Sequence, residues 1–110
     1  MKRYCFALDL IDDAEKIAEY EKIHESIWPE IRQTIVDAAI KDMQIYRIGT
    51  RMFMIMDTED DFSFEAKAKA DAENPIVQKW ENFMWTFQQA LPMAKPGEKW
   101  VRMNKIFGLK

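Results

Sequence analysis

The sequence holds one cysteine and one histidine. A single Cys excludes an internal disulfide, and one Cys with one His cannot build a closed zinc site. Three glycines and four prolines in 110 residues exclude collagen-like and low-complexity chains. No apolar run approaches the ~20 residues of a membrane span. The amino-terminal stretch Met1 to Leu8 is too short in its apolar part for a secretory signal, and Asp9 interrupts it. No basic block is present: Lys plus Arg is 16, Asp plus Glu is 19, and the net charge is −3. That balance argues against a nucleic-acid partner. No glycine-rich phosphate loop occurs, which argues against ATP or NAD. The expectation is a cytoplasmic protein with no metal, no cofactor, no membrane partner and no nucleic-acid partner. A lone thiol at Cys5 fits a reducing compartment.

What is present points to a packed globular chain. The composition is 48% hydrophobic and 32% charged, enough for one core and a solvated surface. A single domain over residues 1–110 follows from the length, with roughly 65% of the unfolded surface buried on folding.

Arg3 to Leu10 alternates as a strand, with Tyr4, Phe6, Leu8 and Leu10 on one side and Cys5, Ala7 and Asp9 on the other. Asp12 and Glu15 are spaced as a capping box. Ile17, Tyr20, His24, Ile27, Trp28, Ile31, Ile35 and Ala38 then form one stripe of a long helix, which Pro29 should kink near His24 and Glu25. Asp42–Ile48 and Arg51–Asp57 read as strands joined by a two-residue turn at Gly49-Thr50. A short helix capped by Asp60, Asp61 or Ser63 runs to Ala72. Asn74-Pro75 starts another, with Ile76, Trp80, Phe83, Met84, Phe87 and Leu91 as its stripe. Residues Pro92 to Glu98 form a loop, and Trp100 to Phe107 reads as a last strand.

The order β-α-β-β-α-β predicts a ferredoxin-like α+β sandwich, an antiparallel sheet with helices on one face. The third strand, Met52-Phe53-Met54-Ile55-Met56, is apolar on both faces. A second sheet in a symmetric homodimer would cover its free side. The alternative cover is the loop Pro92 to Glu98 of the same chain.

His24 carries the chemical interest. A lone His on an apolar stripe is ordinarily a core residue bonded to backbone. Here Tyr20 and Trp28 lie one turn to either side, and Pro29 follows. Such a line suits a small polyhydroxylated ligand: rings pack on a sugar's C–H face, while Tyr and His serve its hydroxyls. It does not suit nucleophilic catalysis, since Cys5 and Ser26 are not aligned with His24. Trp80 reads as core or as a second sugar platform.

The segment Tyr20-Glu21-Lys22-Ile23-His24-Glu25-Ser26-Ile27-Trp28-Pro29-Glu30-Ile31 resembles the signature of the L-rhamnose mutarotases. The likeness runs along nearly the whole chain. It implies a cofactor-free dimeric ferredoxin-like enzyme, a dimeric α/β barrel, that interconverts the α and β anomers of a 6-deoxy sugar. It assigns proton transfer to His24 and sugar contact to Tyr20. Trp28 and Trp80 would shape the pocket, with Trp28 alternatively structural beside Pro29. Met43 stands where the family has a sugar-contacting Tyr. Glu81 stands where it has the second of two tryptophans, and could bond a hydroxyl instead. The hairpin at Gly49-Thr50 is also shorter. The sugar is therefore L-rhamnose or L-fucose.

Mutarotation is proton transfer alone: the anomeric hydroxyl loses a proton, the ring oxygen gains one, and the ring recloses on the other face. A His titrating near ~6.5 can give and take protons near neutrality. Two other readings fit the fold: a cofactor-free oxygenase or isomerase of the same dimeric class, and a non-catalytic dimer that binds a small molecule.

Overall fold

The computed structural model describes residues 1–110. The chain runs β1 (Lys2–Leu10), α1 (Ala14–His24), α2 (Pro29–Asp37), β2 (Ile40–Ile48), β3 (Arg51–Thr58), α3 (Phe64–Glu73), α4 (Pro75–Trp85), β4 (Gln88–Gln89) and β5 (Val101–Arg102). The sheet order is β2-β3-β1-β4, with every pairing antiparallel. Gln89 pairs with Asp9 and Val101 with Ala7, so β4 and β5 are two pieces of one edge strand. Residues 90–100 leave the sheet between them. Counted so, the topology is the expected β-α-β-β-α-β sandwich.

Local chemistry explains the element ends and corrects several of the expected ones. The cap of α1 is Asp13, not Asp12; its carboxylate accepts from the amides of Glu15 and Lys16 at 3.0 and 3.1 Å. The single kinked helix is two helices. Pro29 occupies the first turn of α2, and Trp28 before it is extended (φ −56°, ψ 130°). A residue preceding proline is driven out of the helical region, which breaks the helix rather than bending it. Ala39 (φ 67°) takes the left-handed turn that ends α2 and leads into β2. Gly49 (φ 57°) supplies the positive φ of the two-residue hairpin, with Ile48 opposite Arg51. Ser63 caps α3 and Asn74 caps α4, as expected.

Helix α4 ends at Trp85 rather than running to Leu91. The Thr86 hydroxyl donates to the Phe83 carbonyl at 2.6 Å, and Gln88 and Gln89 then join the sheet. Its inward stripe uses Val77, while Ile76 faces solvent. The last strand is also shorter than the expected Trp100–Phe107. Only Val101 and Arg102 pair with β1, and Ile106, Phe107 and Leu109 are exposed.

The core lies between the sheet and the helices. Phe6, Leu8 and Leu10 of β1 and Met52, Met54 and Met56 of β3 all bury their side chains there. Leu8 and Met52 pair across the two central strands and are almost solvent-free. Burying each such side chain contributes about 1.5–3 kcal/mol. On the opposite face Cys5, Ala7, Phe53 and Ile55 are half-buried, and Tyr46 and Ile48 are exposed. Cross-strand ion pairs flank this patch: Arg3 donates twice to Asp57, at 2.7 and 3.0 Å, and Arg51 pairs with Asp9. The loop before β5 does not return over it. Lys99 bonds to α4 and Trp100 packs against the core, both on the helical side.

Candidate active site

A cavity of about 350 Å³ opens between the helices and the sheet. Tyr20, His24, Met43, Trp80 and Glu81 all line it, so residues from α1, β2 and α4 converge on one cavity. Trp28 is not in its wall. It stands edge-on against Trp80 (5.0 Å between ring centroids) and parallel to Phe83 (5.9 Å, 10°). From there it props Trp80, whose indole lies 5.9 Å from the His24 ring.

His24 is the last residue of α1, and its ring lies 4.2 Å from that of Tyr20. Its Nδ1 sits 2.8 Å from the Tyr20 carbonyl oxygen. A carbonyl only accepts, so Nδ1 carries the proton and the neutral ring keeps its lone pair on Nε2. Burial holds the imidazole below its ordinary value, against the smaller opposing pull of the Tyr20 carbonyl. The resting group is therefore a neutral base.

Tyr20 is buried, and its phenol is pushed up to about 12, chiefly by that burial. At neutral pH it is a hydrogen-bond donor and acceptor, not a phenolate. Its oxygen accepts from Gln88 Nε2 at 3.1 Å. Across the cavity Lys99 donates to the Glu81 carbonyl at 2.8 Å and pairs with its carboxylate at 3.0 Å. The ammonium also lies 4.7 Å from the Trp85 ring centroid. Burial pulls Lys99 below its ordinary value, while Glu81 opposes the shift. Glu81 is thus held in place rather than free.

Gln88, Lys99 and Trp100 line the cavity without having been anticipated. Gln88 lay hidden in a stripe read as helix through Leu91. A two-residue strand has no periodicity to betray it. Lys99 and Trp100 arrive only because the edge strand is interrupted. Lys67 and Asp71, joined at 2.9 Å on α3, complete the far wall. No three His, Cys, Asp or Glu side chains gather into a metal cage, and no helix is long and apolar enough to cross a membrane.

The chain is similar to known proteins along nearly its whole length. The family model for L-rhamnose mutarotase matches residues 3–109. An L-fucose mutarotase from Xanthomonas campestris pv. campestris is 45% identical, over 99% of this chain and 89% of the relative. An L-rhamnose mutarotase from Phocaeicola vulgatus is 34% identical, over 87% of this chain and 88% of the relative. The crystal structure of an L-rhamnose mutarotase from Formosa agariphila superposes with a TM-score of 0.73 over 100% of both chains, at 21% identity, and so shares the fold. With a family match along nearly its whole length, and two named relatives above 30% identity, this chain belongs to the L-rhamnose mutarotase family.

Proposed function

We propose that the protein interconverts the α and β anomers of a 6-deoxyhexose, with L-fucose ahead of L-rhamnose, and that it needs no cofactor. The observation that carries this is the His24 tautomer: Nδ1–H is committed to the Tyr20 carbonyl, so Nε2 is a free base in a sugar-sized cavity. His24 Nε2 takes the proton of the anomeric hydroxyl as the C1–O5 bond breaks and the aldehyde forms. The same proton goes to the ring oxygen. After rotation about C1–C2 the sequence reverses on the other face. The high-lying Tyr20 phenol stays protonated and orients a hydroxyl rather than relaying the proton. Trp80 supplies an apolar wall and Trp28 supports it. The 45% identity to an L-fucose mutarotase favours L-fucose, and Met43 and Glu81 depart from the pattern that the L-rhamnose mutarotase resemblance implies. Magnetisation transfer between the α and β anomeric protons, with both sugars in turn, tests the reading. Exchange no faster than in buffer for either sugar would remove it.

Glu81→Trp is expected to shift the ratio of exchange rates toward L-rhamnose, because an indole replaces the carboxylate that Lys99 now holds. An unchanged ratio would take Glu81 out of sugar selection.

The pH dependence follows from His24. Its folded-state value lies below the ordinary 6.5, so the neutral base persists to lower pH. Catalysed exchange should stay flat through neutrality and past 6.5, then fall on the acid side. Below 6.5 the unfolded chain binds more protons at this site than the folded one, so His24 also makes stability fall as the pH drops. A rate profile that halves above 6.5 would contradict this assignment.

The protein works as a homodimer in the cytoplasm. The free Cys5 and the half-buried apolar patch on the outer sheet face support this pair of statements. Phe53 and Ile55 at the centre of the patch, with Tyr46 and Ile48 (82% exposed) beside them, suit a self-complementary contact about a two-fold axis. Sedimentation velocity should give twice the chain mass, and Ile55→Glu should give one chain mass. A wild-type protein that sediments as one chain would end the dimer reading.

A further inference from the structure

One buried polar atom in the cavity has no partner. Gln88 is 5% exposed, and its Oε1 is a buried side-chain acceptor without a hydrogen bond. Its pairing with Leu10 turns its side chain to the helical face, into the cavity wall. Leaving a buried amide oxygen unpaired is unfavourable, and native structures rarely tolerate it without a use. The other end of the same amide is engaged: Nε2 donates to the Tyr20 hydroxyl at 3.1 Å. That bond makes the phenol oxygen an acceptor, so the phenol proton is available to a third group. A free donor and a free acceptor thus stand side by side.

We propose that Gln88 is a sugar-positioning residue: its Oε1 accepts from a sugar hydroxyl, and its Nε2 sets the Tyr20 phenol to donate to that same hydroxyl. A hydroxyl can accept and donate at once. Tyr20 donates to it, it donates to Gln88 Oε1, and Gln88 Nε2 donates back to Tyr20, closing a ring of three hydrogen bonds. The Tyr20 and His24 rings lie 4.2 Å apart, so the hydroxyl taken to fill this ring is the one next to the anomeric centre, on C2. Gln88 touches no atom whose bonds change, so its contribution is orientation. The proposal rests on the mutarotase reading of the site.

The test compares L-fucose with 2-deoxy-L-fucose in wild type, Gln88→Met and Tyr20→Phe, with binding read by calorimetry and exchange by magnetisation transfer. Gln88→Met keeps the length of the side chain and removes both amide poles. For L-fucose it should weaken binding roughly 10- to 100-fold, with the rate at saturation held within about threefold. Wild type should lose a similar factor on the 2-deoxy sugar, and Gln88→Met should lose almost nothing further. Equal losses by Gln88→Met on both sugars would mark a packing effect and overturn the proposal, as would unchanged binding of L-fucose. Should Gln88→Met fail to fold, Tyr20→Phe decides: it keeps the ring, and must blunt the preference for L-fucose over its 2-deoxy analogue. Wild-type exchange with an indifferent Gln88→Met ends the positioning role and leaves the mutarotase reading intact. A wild type that neither binds nor exchanges either sugar ends both.

Discussion

His24→Ala is expected to bring anomer exchange down to, or close to, the rate in buffer. General acid–base catalysis is worth about 10²–10⁴-fold, and the cavity offers no second neutral base with a free lone pair to replace it. Tyr20 is a phenol at neutral pH because burial pushes it up to about 12. The Glu81 carboxylate is neutralised by Lys99 at 3.0 Å. The fold should survive, since His24 is only half-buried and its one hydrogen bond goes to its own helix. Magnetisation transfer on the variant checks this with the same sugar and pH as wild type. Retention of more than about a tenth of the catalysed rate would move proton transfer to Lys99 and Glu81.

Trp80→Ala should be the most destabilising single change in the site. The indole is 7% exposed and sits at the junction of Trp28, Phe83 and His24. Truncating a buried Trp costs about 3–5 kcal/mol, because lost burial and a residual cavity add. A domain of this size is stable by only about 5–15 kcal/mol, so a large part of the margin goes. The unfolding midpoint should fall by more than about 10 °C. Trp80→Phe should keep most of the stability while enlarging the cavity and weakening sugar binding. Thermal and urea unfolding of both variants give the comparison. A loss under about 1 kcal/mol in Trp80→Ala would show that the neighbouring rings close over the gap.

Trp28 shows how the same stripe can mislead. Helical spacing puts it four residues from His24, apparently on one wall. Pro29 then breaks the helix, the geometry turns, and Trp28 packs behind Trp80 instead. The displaced cap at Asp13 is a smaller case, since two adjacent aspartates offer equivalent chemistry and only the chain path after β1 chooses between them. Met43 and Glu81 were legible only through the family resemblance, since Glu81 lies one step off the Trp80 stripe of α4 and no local pattern marks Met43 as a wall residue. Gln88 and Lys99 were not, because each reaches the cavity from an irregular edge.

Binary patterning in β1, β3, α1 and α4, the turn at Gly49 and the caps at Ser63 and Asn74 determine the order of elements and the face each one buries. These are local preferences, set by residue type and spacing within a few positions. The sequence by itself also determined that the chain has a single histidine, with Tyr20 one helical turn before it. Only the tertiary structure decided what surrounds it. Splitting the edge strand at residues 90–100 brings Gln88, Lys99 and Trp100 into the cavity from positions more than sixty residues away from His24 in the chain. The protonation of His24 and Tyr20 depends on that burial, and burial is a sum over elements that no local pattern encodes.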